Sequence, residues 1–171
     1  MSEPVKTAWE GKWVSVKTQG RWEYVTRTRG VRAVVIVAIE EDDHVLLIDQ
    51  YRVPLGQRCL ELPAGLVGDD HADEAAENAA VRELEEETGY TAERVENLGE
   101  YHSSPGLVSE GFMLMRAYGL SKIGVGGGVD GEDIVVHRVP LAEVPAFVAA
   151  KRAEGMAVDV KILMLLAGTL L

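Results

Sequence analysis

Residues 31–39 form an almost continuous run of β-branched and small apolar side chains, VRAVVIVAI. A run of this kind, without polar alternation, predicts a strand that is buried at the centre of a sheet. Residues 40–43 follow as a polar turn, and residues 44–50 predict the returning strand. The short apolar segment 59–62 predicts a further strand, which Pro63 ends.

An aromatic segment precedes this core. Residues 9–18 and 21–28 predict an antiparallel strand pair around a turn at Gln19 and Gly20, and all three tryptophans of the chain lie there. The indoles could simply cover the apolar side of the hairpin, because aromatic residues favour strands. They could also form a subunit interface or a surface that stacks on a base. We therefore divide the chain into an N-terminal hairpin, residues 1–30, and a main domain, residues 31–171.

Asp70 or Asp73 is a suitable N-cap for a helix that runs to about Thr88, and Gly89 is suited to end it in the left-handed conformation. The rest of the chain predicts three strands, a mobile glycine-rich loop and two closing helices. In chain order these are residues 95–102, 111–120, 121–132 (the loop), 134–139, 141–152 and 158–170. Several strands with helices gathered late in the chain indicate the α+β class.

The chain has 171 residues and a formal net charge of −11. So acidic a protein repels nucleic acid and anionic membranes, and we expect neither as a partner. A phosphorylated substrate would be repelled as well, unless local arginines or metal ions offset the charge. The single cysteine, Cys59, excludes an intramolecular disulfide. Because the first ten residues lack an apolar signal core and no apolar stretch is long enough to span a bilayer, a cytoplasmic location is the default expectation.

Three glutamates are crowded near the end of the predicted helix. Glu83 and Glu87 are four residues apart on one face, and Glu86 lies beside them. Like charges at this spacing destabilise an isolated helix by roughly 0.2–0.5 kcal/mol per pair, and the helix dipole adds to the penalty. A hard divalent cation such as Mg²⁺ or Mn²⁺ would reverse the sign, since it prefers oxygen ligands. From spacing alone, a solvated acidic face with ion pairs is the favoured interpretation, because charge runs are usually of that kind.

The same segment resembles the Nudix box, G-x5-E-x7-R-E-U-x-E-E-x-G-U, where U is apolar. The matching positions are Gly68, Glu74, Arg82, Glu83, Leu84, Glu86, Glu87, Gly89 and, as a looser fit, Tyr90. This resemblance implies the Nudix fold, an α/β/α sandwich around a mixed β-sheet. It also implies a site for two or three Mg²⁺ or Mn²⁺ ions held by Glu83, Glu86 and Glu87.

The sequence outside the box resembles that of the ADP-ribose pyrophosphatases of that family. The segments concerned are residues 49–52, 61–65 and 104–106, followed by Glu110. The resemblance implies a metal ligand in the carbonyl of Ala64 and substrate contacts from Arg52, Glu61, Pro105 and Gly106. The chain departs from the pattern in one respect: Gly65 lies nine residues before Glu74, so the connecting loop is about three residues longer than in many such enzymes.

By the same resemblance the glycine-rich loop carries the catalytic base. Glu132 is the first choice, ahead of Asp130, Asp133 and Glu110, and the expected catalytic group is Glu132, Glu110 and Arg82. Taken by themselves, Arg52 could be a surface ion-pair residue, Pro105-Gly106 a plain turn, and the loop a solvated linker.

The expected reaction is hydrolysis of ADP-ribose to AMP and ribose 5-phosphate by a homodimer. Three alternatives remain open: a hydrolase of another nucleoside diphosphate sugar such as GDP-mannose, a non-catalytic nucleotide-sensing module, and an isopentenyl-diphosphate isomerase-like enzyme that would use Cys59.

Overall fold

The computed structural model describes residues 3–28, 32–68, 74–129 and 131–170. Its strands are β1 (Lys6–Glu10), β2 (Val14–Gln19), β3 (Trp22–Arg27), β4 (Arg32–Ala38), β5 (His44–Arg52), β6 (Gln57–Glu61), β7 (Ala64–Val67), β8 (Tyr90–Tyr101), β9 (Phe112–Lys122), β10 (Val135–Pro140) and β11 (Ala157–Val158). The α-helices are α1 (Ala76–Thr88), α2 (Val144–Ala153) and α3 (Leu163–Leu170). Short 3-10 turns cover Val53–Leu55, Leu141–Glu143 and Val160–Ile162.

Two mixed four-stranded sheets build the main domain. Their strand orders are β10-β5-β6-β11 and β7-β4-β9-β8, and each contains one parallel pair, β6 with β11 and β4 with β9. The buried strand predicted at residues 31–39 is confirmed as β4, where Val34, Ile36 and Ala38 have no exposed surface.

Side chains alternate across β4 between two cores. Val34 and Ile36 face the first, which α1 closes with Ala79, Ala80 and Leu84. Val35 faces the second, which α2 and α3 close with Val144, Val148 and Leu166. Helices therefore cover both sides of the sheets, and the expected α/β/α sandwich is confirmed. The alanines of α1 bring the helix axis close to β4, since they carry no bulk beyond Cβ.

The predicted N-terminal antiparallel strand pair is confirmed as β2 and β3, and a further strand, β1, joins them to give a three-stranded sheet. The chain turns between β1 and β2, where the Gly11 amide donates to the Val14 carbonyl at 2.9 Å. A Cβ on Gly11 would lie 2.4 Å from the Trp9 ring, so glycine lets the indole lie across the turn. The second turn is at Gly20 and Arg21, with Gly20 at φ 59°.

Helix α1 begins at Ala76, with Ala75 in the N-cap position and no side-chain cap. Asp70 and Asp73 lie outside the described residues, and neither occupies the N-cap. The predicted end is confirmed: Gly89 has φ 74° and donates its amide to the Glu85 carbonyl at 2.9 Å. Within the described ranges, no helix has the length and apolar character that crossing a membrane would require.

Candidate active site

A cavity of about 580 Å³ opens beside the last two turns of α1. Its other walls come from β5, β6, β7, the segment before β9 and the glycine-rich loop. Nine of the eleven site residues expected from the sequence line it: Arg52, Glu61, Ala64, Arg82, Glu83, Glu86, Glu87, Glu110 and Glu132. Residues far apart in the chain thus converge on one concave surface.

Glu87 is a deeply buried carboxylate of this cavity, with 4% of its surface exposed. The Ala64 amide donates to its Oε2 at 2.9 Å, so the corner between β6 and β7 fixes its orientation. Burial raises the pKa of Glu87 to about 8; the Ala64 hydrogen bond opposes the rise, and the charges of Glu83 and Glu132 add to it. A buried carboxylate of this kind is stabilised by taking up a proton or a cation.

Glu83 lies against the backbone of β7. Its Oε1 accepts from the Leu66 amide at 3.2 Å and from Nη1 of Arg82 at 3.0 Å. A Cβ on Gly65 would lie 1.8 Å from the carboxyl carbon of Glu83, so this carboxylate occupies the space that any side chain at position 65 would need. Burial raises the pKa of Glu83, although Arg82 opposes the rise.

Arg82 connects the acidic residues to one another. Its Nε and Nη2 donate to the two carboxylate oxygens of Glu74 at 3.2 Å each, and Nη2 also donates to the Leu66 carbonyl at 3.1 Å. Its Nη1 donates to Glu83 and, at 3.3 Å, to Glu86. The hydrogen bonds to Glu74 are the main reason that the pKa of Arg82 is raised. Arg82 therefore orients the carboxylates, as the sequence pattern anticipated.

The donor set fits a hard divalent cation. Glu83, Glu86 and Glu87 supply only oxygen donors, they line one cavity, and burial disfavours the charge on two of them. In the part of the chain that the structure describes, no three acidic, histidine or cysteine side chains already converge as a ligand set. Instead, Glu83 and Glu86 share Nη1 of Arg82, which acts as their counter-charge.

Arg52 and Glu61 form a bidentate ion pair across neighbouring strands β5 and β6. Nε and Nη2 of Arg52 each lie 2.7 Å from a carboxylate oxygen of Glu61. Glu61 is buried, whereas Arg52 is partly exposed at the cavity. The carboxylate of Glu61 is committed to this pair and holds the guanidinium of Arg52, whose Nη1 takes no part in it, so a substrate contact from Glu61 stays a prediction.

Two of the cations that line the cavity are not expected from the sequence pattern. Arg27, at the end of β3, pairs with Glu110 and so connects the N-terminal sheet to the site. Lys161, in the last 3-10 turn, lies with Nζ 2.7 Å from Asp159 Oδ2 and 5.5 Å from the centre of the Phe112 ring. The only local signal for Lys161 is the Asp159–Lys161 pair in an otherwise apolar segment.

The glycine-rich loop is docked on the end of α1, and its mobility stays a prediction. The amides of Gly127 and Gly128 donate to the carbonyls of Glu87 and Glu86, both at 2.9 Å. These bonds satisfy helix carbonyls that have no partner within the helix. A Cβ on Gly126 would lie 2.4 Å from the backbone of Thr88, so the close approach requires glycine.

Glu132 is the loop carboxylate that reaches the cavity. Its Oε2 accepts from the Val129 amide at 3.1 Å. Asp133 instead pairs with Arg58, and Asp130 lies outside the described residues. Glu110, the other candidate base, is already engaged by Arg27.

Pro105 and Gly106 line a different, smaller cavity of about 240 Å³, together with Trp22 and Tyr24 of β3. Their segment is held by an added pairing with β3, where the Val25 amide donates to the Leu107 carbonyl at 2.9 Å. A substrate contact from Pro105 or Gly106 stays a prediction.

Comparison with known proteins gives a consistent result. The family model of the NUDIX domain matches residues 29–157. A methanol dehydrogenase activator from Bacillus methanolicus is 36% identical over 121 residues, 70% of this chain and 64% of that protein. A GDP-mannose pyrophosphatase from Cronobacter sakazakii is 34% identical over 147 residues, 81% of this chain and 72% of that protein. Several other relatives are named ADP-ribose pyrophosphatases.

Among solved structures, a crystal structure of an ADP compounds hydrolase has a TM-score of 0.70 and 26% identity, over 87% of this chain and 82% of that one. The matched region spans 64% of the length of the Bacillus methanolicus protein, 59% of a Nudix hydrolase from Schizosaccharomyces pombe and 47% of a putative Nudix hydrolase from Caenorhabditis elegans, which is less than two thirds of each.

Proposed function

The chain belongs to the Nudix family, and from this premise we propose that it hydrolyses the pyrophosphate bond of a nucleoside diphosphate sugar, with ADP-ribose as the first candidate substrate. The observation that carries the proposal is the meeting of two sets of side chains in one cavity. Four of the six carboxylates that line it, Glu83, Glu86, Glu87 and Glu132, lie there with cations that include Arg27, Arg52 and Lys161. A diphosphate requires cations for binding, and its hydrolysis requires a base near the attacking water.

Glu83, Glu86 and Glu87 would hold the Mg²⁺ or Mn²⁺ ions, two or three in number. When bound, such ions neutralise the diphosphate, polarise a phosphoryl oxygen and lower the pKa of a coordinated water. Arg82 holds the carboxylates of Glu83 and Glu86 next to each other, because it donates to both from a single nitrogen. Arg52, held by Glu61, offers a partly exposed guanidinium to a phosphate oxygen.

The chemical step needs one water and one base. The water oxygen forms a bond to one phosphorus, and the bond from that phosphorus to the bridging oxygen breaks. The carboxylate of Glu132 takes the proton of the water, and the bridging oxygen leaves with the bonding electrons as part of a phosphate monoester. From ADP-ribose the products are AMP and ribose 5-phosphate.

Two other functions remain to be separated from this one. Hydrolysis of GDP-mannose is the second candidate, since the relative that matches 81% of this chain is a GDP-mannose pyrophosphatase. Binding of a nucleotide without turnover is the third, although the full set of box residues argues against it.

The test is a substrate panel that includes ADP-ribose and GDP-mannose, with product release measured with and without Mg²⁺ or Mn²⁺. We expect metal-dependent turnover of ADP-ribose to AMP. Glu132→Gln should lower kcat by about 10²–10⁴-fold and spare metal affinity. Glu87→Gln should abolish metal-dependent turnover and leave the protein folded.

Glu143→Gln, an exposed site outside the cavity, is the matched control and should leave turnover unchanged. Binding of ADP-ribose without any turnover in the presence of Mg²⁺ or Mn²⁺ would refute the enzymatic proposal. Normal turnover by the Glu87 variant would refute the metal assignment alone.

A further inference from the structure

Four charged or polar side chains form a network outside the cavity, which we call the Arg58 network: Asp49 on β5, Arg58 on β6, Asp133 just before β10 and His137 on β10. None of the four lines the main cavity as described. One of them, Asp133, directly follows Glu132, which does line it.

Arg58 lies at the centre of this network and contacts both a strand and the loop. Toward the strand, Nε donates to Asp49 Oδ1, and Nη2 donates to the Asp49 carbonyl at 2.9 Å. Toward the loop, Nη1 donates to Asp133 Oδ2 at 2.7 Å, and Nη2 donates to the Asp133 carbonyl at 2.8 Å. One planar guanidinium therefore joins two backbone carbonyls and two carboxylates.

The strand side of the network is buried and packed. Asp49 is 3% exposed, and its Oδ2 lies 2.5 Å from Nε2 of His137, which packs against the Phe147 ring. On the loop side, the side chain of Asp133 is 82% exposed, so Arg58 is its main anchor in this network. Arg58 thus connects the end of the loop to β5.

The second half of the glycine-rich loop is consequently held on both sides of Glu132. Gly127 and Gly128 are bonded to the end of α1, and Asp133 is bonded to Arg58. Glu132 lies in the short span between these two attachments, immediately before the second one. A displacement of Asp133 would move Glu132 with it, and a displacement near 1 Å can lower catalysis about 10²-fold.

We propose that Arg58 is a positioning residue that fixes the carboxylate of Glu132 over the cavity by holding Asp133. This inference rests on the proposed function, in which Glu132 takes the proton of the attacking water. The competing explanation is purely structural: Arg58 would only neutralise the buried charge of Asp49. The two explanations differ in what a lysine at position 58 achieves, since a lysine keeps the charge but cannot bridge both partners.

The first experiment does not depend on activity. Hydrogen exchange is measured for the wild type, Arg58→Met, Asp133→Ala and the control Arg138→Met. Arg138 lies on β10 and also pairs with two carboxylates, those of Glu40 and Asp42, but it lies outside the cavity. We expect the Glu132 amide to exchange at least about tenfold faster in the first two variants and at the wild-type rate in the control. Unchanged exchange at Glu132 in Asp133→Ala, which leaves the Asp49 pair intact, would overturn the proposal.

The second experiment is a double-mutant cycle on ADP-ribose hydrolysis. Arg58→Met should lower kcat about 10–10²-fold with little change in KM, and it should have no further effect in the Glu132→Gln background. Arg58→Lys should recover thermal stability but not kcat. Additive effects in the double variant, or recovery of both quantities by lysine, would overturn the proposal.

These outcomes are distinct from failure of the proposed function. If the wild type turned over no substrate, the enzymatic proposal would fall and the catalytic part of this inference with it. Faster exchange at Glu132 in the variants would still establish the attachment of the loop through Arg58.

Discussion

At the scale of single residues, Gly65 and Glu83 show how the backbone makes room for a functional side chain. The three atoms nearest to a Cβ at position 65 all belong to the carboxyl group of Glu83, the far end of a flexible side chain. Gly65→Ala should therefore change the free energy of unfolding little, but it should displace Glu83 from the amide of Leu66. We expect kcat/KM for ADP-ribose to fall by about 10²-fold or more.

The matched control is Gly168→Ala in α3, where a Cβ would meet nothing within 4 Å. It should leave activity unchanged and slightly stabilise the helix. Full activity in Gly65→Ala would mean that the position of Glu83 does not matter for turnover.

Asp49 makes the fold sensitive to acid. Burial by itself would raise the pKa of Asp49, but hydrogen bonds and charge from His137 and Arg58 outweigh it and hold the pKa below its usual value of 3.8. Ionised Asp49 therefore contributes stability at neutral pH, and that contribution is lost as the pH falls below about 4 through the folded-state pKa.

Asp49→Asn should lower the free energy of unfolding at pH 7 by on the order of 2 kcal/mol. It should also flatten the loss of stability between pH 4 and lower values. Urea unfolding at a series of pH values measures both, and an equally steep acid dependence in the variant would contradict the assignment.

The residues of the site divide into those that local spacing predicts and those that it cannot. Glu83, Glu86 and Glu87 are fixed relative to one another by helix geometry, so the sequence pattern was sufficient to place them on one side of α1. Arg27 and Lys161 reach the cavity from opposite ends of the chain, through sheet pairing and the packing of the last 3-10 turn. No local periodicity carries that information.

At the scale of elements, the contact between α1 and the glycine-rich loop depends on Gly126. This residue has φ 68°, and a Cβ there would lie 2.4 Å from the backbone of Thr88, which cannot yield. Gly126→Ala should lower the free energy of unfolding by roughly 3 kcal/mol, from overpacking and backbone strain together.

Gly56→Ala separates the two effects, because Gly56 has φ 65° but open space around it. It should cost only the strain, about 1–2 kcal/mol. Thermal or urea unfolding compares the variants, and equal losses would show that the loop does not press against α1.

Elements defined by strong local signals were predicted well, and those made by long-range pairing were not. The buried run of β4 and the left-handed Gly89 at the end of α1 are local features. Strand β7 was missed because Ala64 and Gly65 are poor strand formers. It forms because it pairs with β4, where Val35 lies opposite Ala64. The break between β1 and β2 was missed since its cause is the Trp9 ring over Gly11.

At the scale of the whole molecule, the chain combines a net charge of −11 with a cavity that gathers cations. Composition predicted the need for local cations but could not locate them. The separation into a hairpin of residues 1–30 and a domain of residues 31–171 stays a prediction, and Arg27 shows that the first segment contributes to the cavity of the second.

The N-terminal sheet also carries the expectation of a homodimer. Trp9, Trp13 and Trp22 are 56%, 51% and 55% exposed, which is unusual for side chains of this size. We expect light scattering to give twice the chain mass of 18.6 kDa. Trp9→Ser combined with Trp22→Ser should reduce it to a single chain, whereas the exposed control Val125→Ser should not. A double variant with the wild-type mass would contradict an interface on this sheet.

The most direct test of the central claim is hydrolysis of ADP-ribose in ¹⁸O-labelled water with Mg²⁺, with the products analysed by mass spectrometry. If water attacks a phosphorus of the diphosphate, the products are AMP and ribose 5-phosphate, and one of them carries a single ¹⁸O in its phosphate group. Products whose phosphate groups both lack the label, or the absence of AMP under any divalent metal condition, would contradict the claim.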